Sequence, residues 1–335
     1  MGIKFQKDFV VELPESIVIR IKKFLNTVDN DVTNLSDHWS SRESKKKKSF
    51  EIISDRKILI RQQHNGLDDY YPANFGYDPI LSLSSKLKRK LLRFMRKSDN
   101  SAIDPLYNYE LSKYKDYPLN LRNLKHTNYL NPSWVQVRAV LITNMLSKYF
   151  MGLKSPSILE IGPGSGNLIF CINSLFNSTT SYLLDLPSSL PFSIINLLNK
   201  EDSSKDCKFL LPNEIEENSN FDNYKYVFLT NQQIDLVKNN SIDIMINTLS
   251  FAEMLPENIQ NYFIFLRRIC KKNNFFYCLN RVEKKMYLGK NEYYVRFHEY
   301  PWSNKDEEIL FRMSEIESIE LTYCAAFEKL VNLSK

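Results

Sequence analysis

The chain has 335 residues, with 45 Lys and Arg against 39 Asp and Glu, a net charge of +6 and 43% hydrophobic residues. That length and apolar content provide for two domains, or one with a large appendage, around a packed core. No apolar run of about 18 residues occurs, so no membrane-spanning helix is expected.

Lys4, Lys7, Asp8 and Glu12 interrupt the first apolar stretch. No secretory signal is therefore expected, and the expected compartment is the cytoplasm. Residues 1–130 lack a glycine-rich loop and have mixed periodicity, which predicts a mainly helical cap for substrate or oligomer contacts. Within it, Ile17, Ile21, Phe24 and Leu25 form a helical patch after Pro14. Phe50 to Ile60 predicts a short strand or hairpin. Residues 42 to 97 hold fifteen Lys and Arg against six Asp and Glu. Most of the excess lies in Lys45-Lys46-Lys47-Lys48 and in Leu83 to Lys97. In the latter, Leu83, Leu87, Leu91, Phe94 and Met95 share one helical face while the other faces are basic. Three readings fit that segment: a surface helix packed on the core, a peripheral contact with an anionic membrane, or a polyanion contact.

Residues 131–335 are expected to form the ligand-binding domain. Asn131-Pro132-Ser133 reads as a helix entry, followed by apolar positions from Trp134 to Phe150. Ser157-Ile158-Leu159-Glu160-Ile161 leads into Gly162-Pro163-Gly164-Ser165-Gly166, and an apolar helical stretch follows. Further on come a strand ending at Asp185, a helix over Leu190 to Leu198, and strands at Lys208–Leu211, Tyr226–Leu229 and Ser241–Asn247. An amphipathic helix over Glu257 to Lys271, a strand over Asn274 to Leu279 and a late edge strand over Glu320 to Phe327 complete the alternation. This is the pattern of an α/β, Rossmann-like doubly wound sheet. The five cysteines are odd in number and form no Cys-x-x-Cys pair, so neither a disulfide framework nor a zinc site is indicated. Cys171 and Cys278 fall in apolar runs and read as core residues.

The glycine loop restricts the ligand. A phosphate-cradling loop would end in Gly-Lys-Ser/Thr, and this one ends Gly166-Asn167-Leu168. A dinucleotide fingerprint has Gly-x-Gly-x-x-Gly, whereas the spacing here is Gly-x-Gly-x-Gly, preceded by Glu160. A carboxylate repels a pyrophosphate and suits a cation. S-adenosylmethionine is such a ligand, with a sulfonium, an ammonium and no phosphate.

Leu159-Glu160-Ile161-Gly162-x-Gly164-x-Gly166 resembles the first motif of the class I S-adenosylmethionine-dependent methyltransferases. The resemblance implies that Glu160, Gly162, Gly164 and Gly166 bind the cofactor, with Asn247 at the end of the fourth strand. It also implies a second acid on the ribose hydroxyls about 20 residues on, and Asp185 stands there. By itself, Asp185 also reads as a strand-ending turn residue. Asp185-Leu186-Pro187, Ser250-Phe251-x-Glu253-Met254, Asn280-Arg281 and Ser36-Asp37-His38-Trp39 resemble a narrower group, the sugar O-methyltransferases of bacterial polysaccharide gene clusters. Residues 130 to 285 carry most of that resemblance. Pro163 and Ser165 depart from it, since a small residue and an aromatic are expected in the loop.

The function implied is methyl transfer to a sugar hydroxyl of a polysaccharide or glycan precursor. A hydroxyl is a poor acid, so a base has value. Glu253 is one candidate, although an acid there also favours the start of the following helix. His298 is the other, although a lone histidine among aromatics also reads as a packing residue. Ser250 is a polar candidate at the acceptor. Tyr300 and Trp302 either stack on a sugar ring or seal the core. A divalent metal is compatible with this chemistry, but the sequence shows no ligand cluster for one. A nucleic-acid methyltransferase is the alternative, and two signals oppose it. The fourth strand ends Asn247-Thr248-Leu249-Ser250 rather than in Asn/Asp-Pro-Pro-aromatic, and the chain has no Pro-Cys. A non-catalytic scaffold would be expected to have lost the loop glycines or Asp185, and both are present.

Overall fold

The computed structural model describes residues 8–27, 50–61, 134–200, 206–211, 214, 221–314 and 325–335. The basic segment Leu83–Lys97, the Ser36–Trp39 segment and the Asn131-Pro132-Ser133 helix entry lie outside the described residues.

An eight-stranded sheet forms the centre. Its strands are β4 (Ser157–Ile161), β5 (Thr180–Asp185), β6 (Cys207–Phe209), β7 (Tyr226–Thr230), β8 (Ile242–Thr248), β9 (Cys270–Arg281), β12 (Glu307–Met313) and β13 (Ala326–Asn332). Across the sheet the order is β12-β13-β9-β8-β4-β5-β7-β6. The six strands from β9 to β6 run parallel, and β13 and β12 are antiparallel additions. Parallel strands are covered on both faces, which explains why these segments read as nearly continuous apolar runs.

Strand alternation sorts the core into two layers. Ile158, Leu183, Phe228, Ile244, Ile246 and Tyr277 face one layer, with α2 (Trp134–Phe150), α3 (Asn167–Asn173) and α4 (Leu190–Lys200). Leu159, Ile161, Tyr182, Leu184, Val227, Met245 and Phe276 face the other, with α5 (Pro256–Ile269). Helix α5 starts with Pro256 at its first position, carries Glu257 in its first turn and Arg267 and Arg268 in its last. That polarity complements the helix dipole. Between β9 and β12 lies a hairpin, β10 (Glu283–Leu288) and β11 (Asn291–Arg296). Among the described residues no helix is long and apolar enough to cross a membrane.

The described part of residues 1–130, which is 8–27 and 50–61, is not all helix. It comprises α1 (Glu15–Thr27) and a three-stranded antiparallel sheet of β1 (Asp8–Glu12), β2 (Phe50–Ser54) and β3 (Lys57–Arg61). Nor does this part hold a core of its own. Ile17, Ile21, Phe24 and Phe50 join the α2–α4 layer, Phe24 packing on Phe209 at 6.4 Å and Phe50 on Phe192 at 4.4 Å. Arg20 bonds Glu214 at 2.8 Å across the same contact. Most of the strand read over Glu320–Phe327 lies outside the described residues; the described strand there, Ala326–Asn332, is interior, because β12, unrecognised in the sequence, pairs on its outer side.

The shared core yields a test. Phe24 is fully buried, so Phe24→Ala is expected to cost about 3–5 kcal/mol. Urea unfolding followed by fluorescence and circular dichroism should shift as one transition. Two separate transitions would show that the N-terminal segment and the sheet unfold independently.

Candidate functional site

β4 ends in Leu159-Glu160-Ile161, and the chain turns through Gly162-Pro163-Gly164-Ser165-Gly166 into α3. Backbone bonds close the turn, Gly162 N donating to Leu184 O at 2.8 Å and Gly166 N to Pro163 O at 2.8 Å. All three glycines have positive φ, 71°, 57° and 73°. The first two are glycine for different reasons. A Cβ on Gly162 would lie 2.4 Å from both Cβ and Oγ of Ser250. A Cβ on Gly164 would meet no heavy atom within 4 Å. The loop lines a small cleft of about 40 Å³, opposite Arg138, Ala139 and Ile142 on one side of α2; Glu160 and Thr248 also line it.

Ser165 stands where the resemblance led to the expectation of an aromatic. It is buried; its Oγ accepts from Asn167 Nδ2 at 2.7 Å and its carbonyl from Asn196 Nδ2 on α4 at 2.7 Å. These bonds tie the loop to α4, and an aromatic at Ser165 would displace them.

Glu160 is 1% exposed, and its Oε2 has no hydrogen-bond partner among the described residues. Burial, assisted by the Asp185 charge, raises its pKa to about 8; a backbone bond from Ile169 and the Arg138 charge act in the opposite sense. Ligand-free Glu160 is therefore mostly protonated at neutral pH. A cation in the cleft offsets the desolvation cost and favours the carboxylate. Asp185 closes β5, the strand beside β4, and its Oδ1 accepts from Leu186 N at 2.8 Å. The two acids thus stand at the carboxyl ends of adjacent parallel strands, where open α/β sheets bind ligands.

β8 ends on the other side of β4. Asn247 is fully buried; its Nδ2 donates to Ile161 O at 3.0 Å and to Ser250 Oγ at 2.5 Å, and its Oδ1 accepts from Asn280 Nδ2 at 2.7 Å. Ser250 Oγ donates to Ile161 O at 3.1 Å. Asn247 and Ser250 thus hold the start of the glycine loop against the end of β8. The amide of Asn247 is spent inside the protein rather than on the cleft. Between them, Leu249 has φ of 63°, a costly backbone state for a side-chain-bearing residue.

Glu253 lies in the 3₁₀ turn Phe251–Glu253 and receives Lys284 Nζ from β10 at 2.5 Å, with both side chains at least four-fifths buried. His298 does not line the glycine-loop cleft. Its side chain is 70% exposed, with Nε2 3.9 Å from Glu299. Tyr300 and Trp302 pack among aromatic rings. Tyr300 is 5% exposed, and its ring packs on Phe251 at 5.9 Å and on Phe297 at 5.2 Å. Trp302 meets Phe263 edge-on at 5.0 Å and donates Nε1 to Phe297 O at 3.2 Å. Both seal the α5 layer. Among the described residues no three His, Cys, Asp or Glu form a metal-ligand cluster.

Arg138, Asn196 and Lys284 escape the sequence reading. Only Arg138 had a signal: it is the one charged residue between Trp134 and Ser147. The other two are defined by contacts between elements distant in sequence.

No protein-family model matches the chain, and no curated protein does. Solved structures do match. A candidate S-adenosyl-L-methionine-dependent methyltransferase from Methanococcus maripaludis has 13% identity over 43% of this chain, with a TM-score of 0.33; this chain spans 56% of its length. A SAM-dependent methyltransferase from Aquifex aeolicus has 16% identity over 56% of this chain and 88% of its own, with a TM-score of 0.32. One from Leishmania major has 10% identity over 67% of this chain and 82% of its own, with a TM-score of 0.40.

Two outcomes are expected. Gly162→Ala combines a left-handed backbone cost of about 1–2 kcal/mol with an overpacking cost of about 1–3 kcal/mol. Gly164→Ala carries only the first. Equal losses in urea denaturation would mean that Ser250 does not press on Gly162. The second outcome concerns pH. Glu160 ionises from 4.5 in the unfolded chain but only near 8 in the folded one. This group therefore lowers the stability of the ligand-free protein as pH rises through that window. Glu160→Gln should flatten the fall in melting temperature between pH 5 and 8.5. An unchanged slope would show that the folded protein does not hold Glu160 protonated.

Proposed function

We propose that this chain is an S-adenosylmethionine-dependent O-methyltransferase acting on a sugar hydroxyl of a polysaccharide or glycan precursor. One observation carries the cofactor reading. A buried carboxyl with an unpartnered oxygen lines a cleft beside a bare glycine backbone, and a second acid ends the neighbouring strand. That donor set fits a cation joined to a ribose. Glu160 faces the cationic end, Asp185 accepts from the ribose hydroxyls, and Gly164 leaves room for the ligand. The bound cofactor supplies an electrophilic methyl group.

The sugar acceptor is supported by the Ser250-Phe251-x-Glu253-Met254 resemblance. This block directly follows β8, at the carboxyl edge of the sheet. Glu253 is the proposed base. Lys284 holds its carboxyl in place, where it would take the hydroxyl proton as the acceptor oxygen forms its new bond. The exposed His298 has no comparable positioning partner, so Glu253 is preferred.

Calorimetry and turnover test this reading together. Asp185→Ala should weaken S-adenosylmethionine binding by about 1–3 kcal/mol, the scale of losing a hydrogen-bond partner, and Gly164→Val should abolish it. Glu253→Gln should leave binding intact and lower transfer of labelled methyl to a sugar acceptor by about 10²–10⁴-fold. Wild-type binding by both Asp185→Ala and Gly164→Val would refute the cofactor site. Transfer to a non-sugar acceptor and to none of a panel of nucleotide sugars and oligosaccharides would refute the substrate.

A further inference from the structure

A second groove lies on the far edge of the sheet. It has about 250 Å³ of space, against about 40 Å³ in the glycine-loop cleft. Asn173 ends α3, Phe176 follows it, and Asp206, Asp222, Tyr224 and Lys225 stand just before β6 and β7; all six line the groove. The groove is therefore at the amino ends of these parallel strands, whereas Glu160 and Asp185 stand at carboxyl ends. The length of β5, Thr180 to Asp185, separates the two edges by roughly 17 Å.

One group in the groove is left unused. Asn173 is 5% exposed; its Oδ1 accepts from Ser181 Oγ at 2.8 Å, and its Nδ2 has no hydrogen-bond partner among the described residues. A buried amide without an acceptor costs about 1–3 kcal/mol. An acceptor brought into the groove that Asn173 lines would recover that cost. Asp206 and Asp222 are exposed and offer acceptor oxygens. Phe176 and Tyr224 place aromatic carbon among these polar groups.

That mixture selects a class of ligand. Two carboxylates oppose a phosphate or any other anion. Lys225 opposes a simple cation, and no three metal-ligating side chains gather among the described residues. A neutral sugar ring meets each demand. Its neighbouring hydroxyls donate to a carboxylate, a hydroxyl oxygen accepts from Asn173, and its C–H face packs on an aromatic ring. We infer that this groove is a second sugar-binding site, taking one neutral sugar unit at the edge of the sheet opposite the one proposed for methyl transfer. The inference goes beyond the function proposed above and needs neither cofactor nor transfer for its test. A glycan with one unit held here would be kept at high effective concentration around the protein.

Nuclear magnetic resonance of ¹⁵N-labelled protein, titrated with glucose, galactose, mannose and rhamnose in turn, tests the site without cofactor. At least one sugar is expected to shift the Asn173 side-chain amide signal, with a dissociation constant on the order of 1 mM. Asp206→Asn and Asp222→Asn alter exposed side chains, so both variants should fold. Each should weaken that sugar by about 10-fold or more, the scale of a hydrogen bond to a charged group, while S-adenosylmethionine affinity stays unchanged. No shift with any of the sugars up to about 10 mM, ten times that constant, would overturn the inference. So would wild-type sugar affinity in both variants, or a shift caused by spermidine or inorganic phosphate and by none of the sugars. Sugar shifts confined to the glycine-loop edge would also overturn it and leave the proposed function standing. Shifts at Asn173 in a protein that fails to bind S-adenosylmethionine would support the groove and refute the cofactor reading alone.

Discussion

Ser250 occupies the space that any side chain at residue 162 would need, and the arrangement of the site depends on that contact. It brings the turn after β4 against the turn after β8. Ile161 O, which accepts from both Asn247 and Ser250, locks the two turns together. The strained backbone at Leu249 sits in the middle of this junction. Such strain persists only where the surroundings over-determine it, and here buried hydrogen bonds flank it on both sides. The residues that line the cleft and those proposed to face the acceptor are consequently parts of one fixed unit.

Within that unit, two glutamates stand in different environments. Glu160 is kept mostly neutral by burial, at a cost to the ligand-free protein that grows with pH. Glu253 is paired with Lys284 in a partly buried ion pair. Identical groups thus meet different surroundings within one unit. The loop contributes little charge of its own. Its part is geometric, and Asn196 on α4 and Asn167 at the start of α3 hold it in place through Ser165.

The two faces of the sheet carry different duties. The α2–α4 layer supports the glycine loop and includes the described N-terminal elements, so changes at α1 or β2 reach the helix that carries Arg138 through continuous packing. The opposite layer is filled by aromatics, among them Phe251, Phe263, Phe297, Tyr300 and Trp302. That filling anchors the 3₁₀ turn bearing Glu253, because Phe251 is its buried first residue.

The central strands and the glycine loop were legible in the sequence because their signals are local. A parallel strand buried on both faces reads as an apolar run, a left-handed turn reads as glycine, and Asp185 stands at a motif distance from the loop. Other features were decided only by tertiary structure. The β10–β11 hairpin and β12 carry charged residues among their apolar ones and so resemble loops; their pairing partners make them strands. Tyr300 and Trp302 look alike in sequence whatever they meet, and only the fold brings them to the rings of Phe251, Phe263 and Phe297. Lys284 follows Glu253 by 31 residues, yet it meets that residue directly. Sequence periodicity determines which face of an element is apolar. What covers that face, and which distant charge lies opposite a given side chain, follows only from the packing of elements far apart in the chain.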